Sequence, residues 1–126
     1  MASATQLNSK AKGKRGELEI AKLLREQGYK TRRSVQYSGR GAAENNNADV
    51  IGLPKIHMEV KWVERLNLNQ AMEQAVRDSA GSGNYPSVFH KRNHQPWLVT
   101  MAYVDWIELY NAYYDYVLKG KREINE

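Results

Sequence analysis

The chain contains no cysteine among its 126 residues. That excludes disulfides and any metal site built on thiolates. No apolar run approaches the ~18 residues of a membrane span, and the opening stretch MASATQLNSKAKGKRG lacks the apolar segment of a signal peptide. An intracellular, cytoplasmic protein is the expectation. No G-x-x-x-x-G-K-[ST] pattern occurs, so a nucleotide-binding P-loop is absent and no nucleotide cofactor is expected. There is no internal repeat and no break that separates two domains. Residues 1–126 read as one domain around one core, with 1–8 and 119–126 as flexible polar tails.

Charge is unevenly placed. Net charge is +5, but residues 10–40 hold ten Lys/Arg against three Glu, a local +7, which leaves the remainder at −2. Such a cluster attracts a polyanion, most often nucleic acid, with a solubilising surface as the plainer alternative. Lys10, Lys12, Lys14, Arg15, Arg32, Arg33 and Arg40 supply the candidate backbone contacts, joined by Lys91 and Arg92 in a later turn. Contacts of this kind position a nucleic acid and do not read its bases.

The pattern along the chain alternates helix and strand. A helical stripe runs from Ser9 to Gln27 and stops at Gly28. A strand is predicted over 29–37, a glycine- and asparagine-rich loop over 38–47, and a short apolar strand over 48–53. Pro54-Lys55 makes a turn into a strand with period-two alternation at 56–63. A helix follows at 68–80, then a strand pair at 87–91 and 96–102, then a helix at 105–118. One α/β domain is expected, a central mixed five-stranded sheet flanked by helices.

The strand at 56–63 carries the chemistry. Ile56, Met58, Val60 and Trp62 form one clean apolar face. His57, Glu59, Lys61 and Val63 form the other, with Glu59 and Lys61 about 7 Å apart. An ordinary surface Glu/Lys pair is the bland reading. Asp49 sharpens it, because pairing around Pro54-Lys55 folds Asp49 back beside residues 59–61. Two carboxylates then converge, and one proton affinity rises unless a cation sits between them. Mg2+, hard and oxygen-seeking, is the natural cation. Mn2+ is expected to substitute for it. Glu17 shares the face of Ile20, Ala21 and Leu24 on the first helix, so it points at the core and needs a partner or a task. A buried salt bridge, for example to Lys61, is the plain version of that task, and a metal contact the sharper one. Glu19, Lys22 and Glu26 point the other way and read as solvated.

Glu on the first helix, then Asp, then Glu-x-Lys on the next strand resembles the PD-(D/E)XK nuclease superfamily. More narrowly, the chain resembles the Holliday-junction resolvases of archaea and bacteriophages. The segments that carry the likeness are GKRGELEIAKLL (13–24), SGRGAAENNNADVIGL (38–53) and MEVKW (58–62). Ala48 stands where the motif's name has proline, a position that supplies no ligand. The resemblance implies a restriction-endonuclease-like fold and cleavage of phosphodiester bonds in four-way DNA junctions. Asp49 and Glu59 would bind the metal, with the Val60 carbonyl as a further ligand. Glu17 would complete the acidic cluster, Lys61 would activate water and stabilise the charged phosphorane, and Ser38 would be a catalytic or phosphate-contacting residue. Paired cuts in a two-fold symmetric junction imply a homodimer. The alternatives are a nuclease of the same superfamily acting on flaps, ends or duplex DNA, and a non-catalytic nucleic-acid-binding module.

Weaker signals read more plainly. Gln70 and Gln74 lie outside the centre of their helix's apolar stripe, an exposed polar edge, with DNA or site contact as the alternative. His90 and His94 are spaced as in some metal sites, but without cysteine their turn suits phosphate contact or solvation better. His57 is expected to pair and not to catalyse. Tyr103, Trp106, Ile107, Tyr110, Tyr113 and Tyr114 follow helical spacing, a core or dimer face by default and a base-stacking surface only for single strands.

Overall fold

The computed structural model describes residues 4–35 and 48–120, the first five of them by backbone alone. Ser38, Arg40 and the whole predicted loop 38–47 lie outside the described residues. Helix α1 spans Ala4–Glu26 and strand β1 Arg32–Arg33. Strand β2 is Val50–Ile51 and β3 is Ile56–Trp62. Helix α2 is Leu68–Ser79, β4 is Tyr85–Lys91 and β5 is Leu98–Met101. Helix α3 is Tyr103–Tyr113, and it continues as wider π-helical turns over Tyr114–Lys119.

The five strands form one sheet in chain order, β1 to β5. Only β3 and β4 run parallel, because α2 carries the chain back across the sheet between them. The other pairs are antiparallel, so the predicted mixed five-stranded sheet is the observed one. Helix α1 covers β1, β2 and β3, whereas α2 covers β3 and β4. Strand β3 is therefore central and buried on both sides, which removes the reading of an ordinary surface strand.

Two small cores follow from this layering. Ile20 and Ala21 of α1 meet Val50, Met58, Val60 and Phe89 on one side of the sheet. Ala71 and Ala75 of α2 meet Val88 on the other. Full burial of Met58 and Val50 contributes roughly 1.5–3 kcal/mol each. Gly16 lets α1 approach closely: a Cβ there would lie 3.3–3.5 Å from Trp97, Val60 and Trp62.

Several boundaries differ from expectation. Helix α1 starts at Ala4, inside the predicted tail, because no glycine or proline precedes Gly13 to interrupt propagation. Strands β1 and β2 are only two residues each. Gly52 explains the short β2: its φ of +108° leaves the extended region, and an added Cβ would lie 2.1 Å from the Lys30 carbonyl oxygen. Helix α2 begins where predicted, capped by the Asn67 side chain, which accepts from the Gln70 N–H at 3.1 Å. The last helix reaches from Tyr103 to Lys119 and so takes in part of the predicted C-terminal tail.

Candidate active site

The turn at Pro54-Lys55 sets the register that builds the site. Val50 pairs with Met58. The Asp49 N–H donates to the Met58 carbonyl at 2.9 Å, and its own carbonyl accepts from Ser34 N–H at 2.9 Å. Asp49 is thus pinned between β1 and β3 at the mouth of the sheet. Its Oδ2 accepts from the Val60 N–H at 2.8 Å. A residue's N–H and C=O leave an extended strand on the same edge, so the Val60 carbonyl faces the side where Asp49 sits.

Glu59 leaves β3 on the face opposite Met58 and Val60, in register with Val88 and on the same side as Asp49. It is fully buried, at 0% exposure. Its Oε1 accepts from His57 Nε2 at 2.8 Å, and His57 is itself buried. Its Oε2 has no hydrogen-bond partner among the described residues. A carboxylate oxygen sealed from water and left unpartnered is costly unless a cation or a proton completes it. The Asp49 carboxyl is pushed up to about 7, by burial first and the Glu59 charge second, against the Val60 N–H that favours its ionised form.

Lys61, two residues on and on the same face, donates from Nζ to Gln74 Oε1 of α2 at 3.3 Å. The two line a hollow of about 260 Å3 with Val63, Asn67, Gln70 and Arg77. Asn67, Gln70, Gln74 and Arg77 are three, four and three apart, so one helix face points into it. A second hollow, of about 540 Å3, shares Val63 and Leu66 with the first and is lined by Arg65, His90, Lys91 and Arg92. Gln74 is therefore not merely an exposed edge. Its spacing from Asn67 and Arg77 is the signal that places it. Arg65 and Arg77 had no motif to announce them.

Glu17 faces the cluster but is held elsewhere. Its Oε1 accepts from Arg33 Nε at 2.5 Å, so the plain alternative of a salt bridge is realised with Arg33 and not with Lys61. Burial raises the Glu17 carboxyl, opposed by Arg33 and assisted by the charge of Asp49. Among the described residues no three His, Asp or Glu side chains are grouped to hold a metal ion. The direct three-acid cradle is thus reduced to the pair Asp49 and Glu59, with Glu17 at its margin.

The orphaned Glu59 oxygen and the raised Asp49 fit a hard divalent cation. Mg2+ needs only one or two protein carboxylates and keeps waters or phosphate oxygens for its other positions. The Val60 carbonyl edge suits the same ion.

The basic residues divide. Arg33 serves Glu17, and Lys12 lies 3.7 Å from Glu64. Lys91 is mostly buried, 3.6 Å from Glu19 and 4.3 Å above the Trp62 ring. Arg15 also lies over Trp62, at 5.0 Å. Glu19, expected in solvent, accepts from Trp97 Nε1 at 2.8 Å. Lys10, Lys14, Arg15, Arg32 and Arg92 are exposed. His90 is bonded to Thr100 at 2.8 Å and burial lowers its proton affinity; His94 sits exposed in the turn at φ +61°.

No helix among the described residues is long and apolar enough to cross a membrane. No curated protein and no solved structure matches the chain. The family described as "Phage putative PDDEXK endonuclease" matches it over residues 8–125. With Asp49 just before β2, Glu59 and Lys61 on the neighbouring β3, and a five-stranded mixed sheet in the restriction-endonuclease-like arrangement, the chain belongs to that phage family of PD-(D/E)XK nucleases.

Proposed function

We propose that the protein is a divalent-metal-dependent DNA endonuclease that cuts branched DNA, four-way Holliday junctions foremost, with Mg2+ as cofactor and Mn2+ as a substitute. The observation that carries this reading is the buried, unpartnered Glu59 oxygen beside Asp49, one alternation from Lys61.

Asp49, Glu59 and the Val60 carbonyl would hold the ion. When bound, it supplies Lewis-acid charge neutralisation and makes hydroxide available near neutral pH. The chain's own groups do the rest. His57 fixes the Glu59 carboxylate in one rotamer, and the Val60 N–H fixes Asp49. Gln74 steers the Lys61 ammonium toward the hollow, where it faces a phosphate's non-bridging oxygens as their charge builds. Hydrolysis forms one P–O bond to water and breaks one ester P–O bond. Glu17, paired with Arg33, would add its charge at the margin of the site, and Ser38, outside the described residues, is proposed as a catalytic or phosphate contact. The two joined hollows, with Arg65, Arg77 and Arg92, suit a DNA backbone leading to Lys61. Lys10, Lys14, Arg15 and Arg32 would meet other arms, and Lys12, Lys91 and Arg33 would contribute field more than direct contact. Two cuts in a two-fold symmetric substrate call for a homodimer.

The test is a labelled synthetic four-way junction resolved on a denaturing gel with and without Mg2+. Cleavage is expected with the ion and absent in Glu59→Ala, while Glu59→Ala still binds the junction in Ca2+. Wild-type cutting by Glu59→Ala sinks the catalytic assignment. Equal cutting of a linear duplex competitor returns the protein to a broader nuclease class. Salt-sensitive binding without any Mg2+ or Mn2+ cleavage makes it a binding module.

A further inference from the structure

The helical arm Tyr103–Lys119 buries no residue at all. Its rings are nonetheless organised. Trp106 stacks on Tyr110 with centroids 5.5 Å apart and planes 18° apart, and Tyr110 meets Tyr113 at 6.2 Å. Tyr103 is 71% exposed and Tyr116 85%. The Tyr85 hydroxyl donates to Glu108 at 2.6 Å and ties the arm's first turns to the body. A helix of this length is marginal in water without a packed face.

Beside the arm's root, α2 and β5 frame an open groove of about 770 Å3, lined by Met72, Val76, Arg77, Met101 and Ala102 among others. β5 is also the last strand of the sheet, so its outer edge has no strand partner among the described residues. Leu98 and Val99 on it are more than half exposed. Natural proteins cover or charge such an edge.

We propose that this face binds a second copy of the same chain, the arm of each copy seated in the α2–β5 groove of the other about a two-fold axis. Three observations choose that occupant. Ten large apolar side chains from Leu98 to Tyr116 stand exposed. At ~150–250 Å2 for each aromatic, they present on the order of 1,000 Å2, above the ~800 Å2 per partner of a standard stable interface. Charge turns nucleic acid away: residues 103–117 carry Asp105, Glu108 and Asp115 and no Lys or Arg. A polyphosphate is repelled there, while the groove, lined by both Glu73 and Arg77, carries no net charge against those acids. Finally, each molecule offers a helix with exposed rings and an open groove floored by Met72, Val76, Met101 and Ala102, and a closed two-fold pairs both at once.

The interface stands on the surface alone. It deepens the nuclease reading only in that two active sites would then share one axis.

The test is sedimentation equilibrium of the full chain without DNA or metal. At ~10 µM, a concentration that separates micromolar from weaker association, the wild type is expected at twice 14.5 kDa. The double variant Trp106→Glu, Tyr110→Glu is expected at 14.5 kDa with unchanged far-ultraviolet circular dichroism. The groove variant Val76→Glu should behave likewise. Should the double variant lose its folded signal, Tyr116→Lys, altering a ring 85% exposed, should still weaken dimerisation at least ~10-fold. A monomeric wild type leaves the arm to a different protein and overturns the proposal. So does a dimer that survives all three variants, or an open-ended series of larger species. Junction cleavage is scored separately: a dimer that never cuts removes the nuclease reading and leaves this one standing.

Discussion

Strand β3 and the arm Tyr103–Lys119 invert each other. The strand buries an acid, a histidine and part of a lysine at the centre of the molecule. The arm displays tryptophan and tyrosine to solvent. Neither arrangement favours the isolated fold. Sequestering a carboxylate with one oxygen unpartnered destabilises the folded chain, and leaving aromatics wet forgoes the burial that drives folding. On the readings proposed above, each departure from the inside-apolar pattern marks a place for something outside the chain: a cation in the first case, a second copy in the other. The two differ in what they demand. The site is assembled from residues far apart in sequence, whereas the arm is one continuous stretch with its own internal stacking.

The largest expected effect breaks that contrast at its simplest. Met58→Ala in β3 removes a fully buried side chain and should cost about 2–5 kcal/mol of stability. Tyr113→Ala in the arm, 49% exposed, should change the stability of the dilute monomer by less than about 0.5 kcal/mol. Urea unfolding well below the association range measures both. Similar losses at the two positions would mean that the arm packs on its own body after all, and the contrast would fall.

Much of the site was legible because it rests on local rules. Alternation over 56–63 sorts Glu59 and Lys61 from Met58 and Val60, and a two-residue turn fixes the register that returns Asp49 to Val60. The helical wheel places Glu17 on the stripe of Ile20 and Ala21. What resisted reading depends on three-dimensional placement. Arg33 reaches Glu17 only because β1 is pinned to β2 and tied back by Thr31, whose Oγ1 donates to the Ala21 carbonyl at 2.7 Å. Gln74 meets Lys61 only once α2 lies across β3. The arm's helical period was plain, but periodicity alone cannot tell a core-facing stripe from one that waits for a partner.

A second prediction sharpens the site's half of the comparison. The Asp49 carboxyl, raised to about 7, lies near 3.9 in an unfolded chain. Between those values the folded protein holds a proton that the unfolded chain has released. Metal-free stability should therefore fall as pH rises from about 4 to 7 and level off above, by on the order of a few kcal/mol. Glu17, also raised by burial, acts in the same direction. Glu59→Gln removes the second cause of the Asp49 shift and should move the fall to lower pH. Chemical unfolding at a series of pH values reads this directly, and stability that climbs across the same window would show that the carboxyls are not in competition.

The smallest predicted effect concerns His57, which touches no phosphate. It holds Glu59 through a 2.8 Å hydrogen bond and lies buried behind it. Partners of this sort typically contribute about 10–100-fold in metal affinity or activity. His57→Ala should therefore raise the Mg2+ concentration needed for half-maximal cleavage within that range while leaving the rate at saturating Mg2+ much closer to wild type. His57→Gln, which retains a donor, should recover part of the affinity. A purely structural role predicts the opposite signature: lowered thermal stability, no change in the Mg2+ midpoint and no recovery with Gln. The split between midpoint and plateau decides whether the buried pair exists to aim a carboxylate or only to fill the sheet. It also sets the strand apart from the arm, where no substitution should move the Mg2+ midpoint while the dimer stays intact.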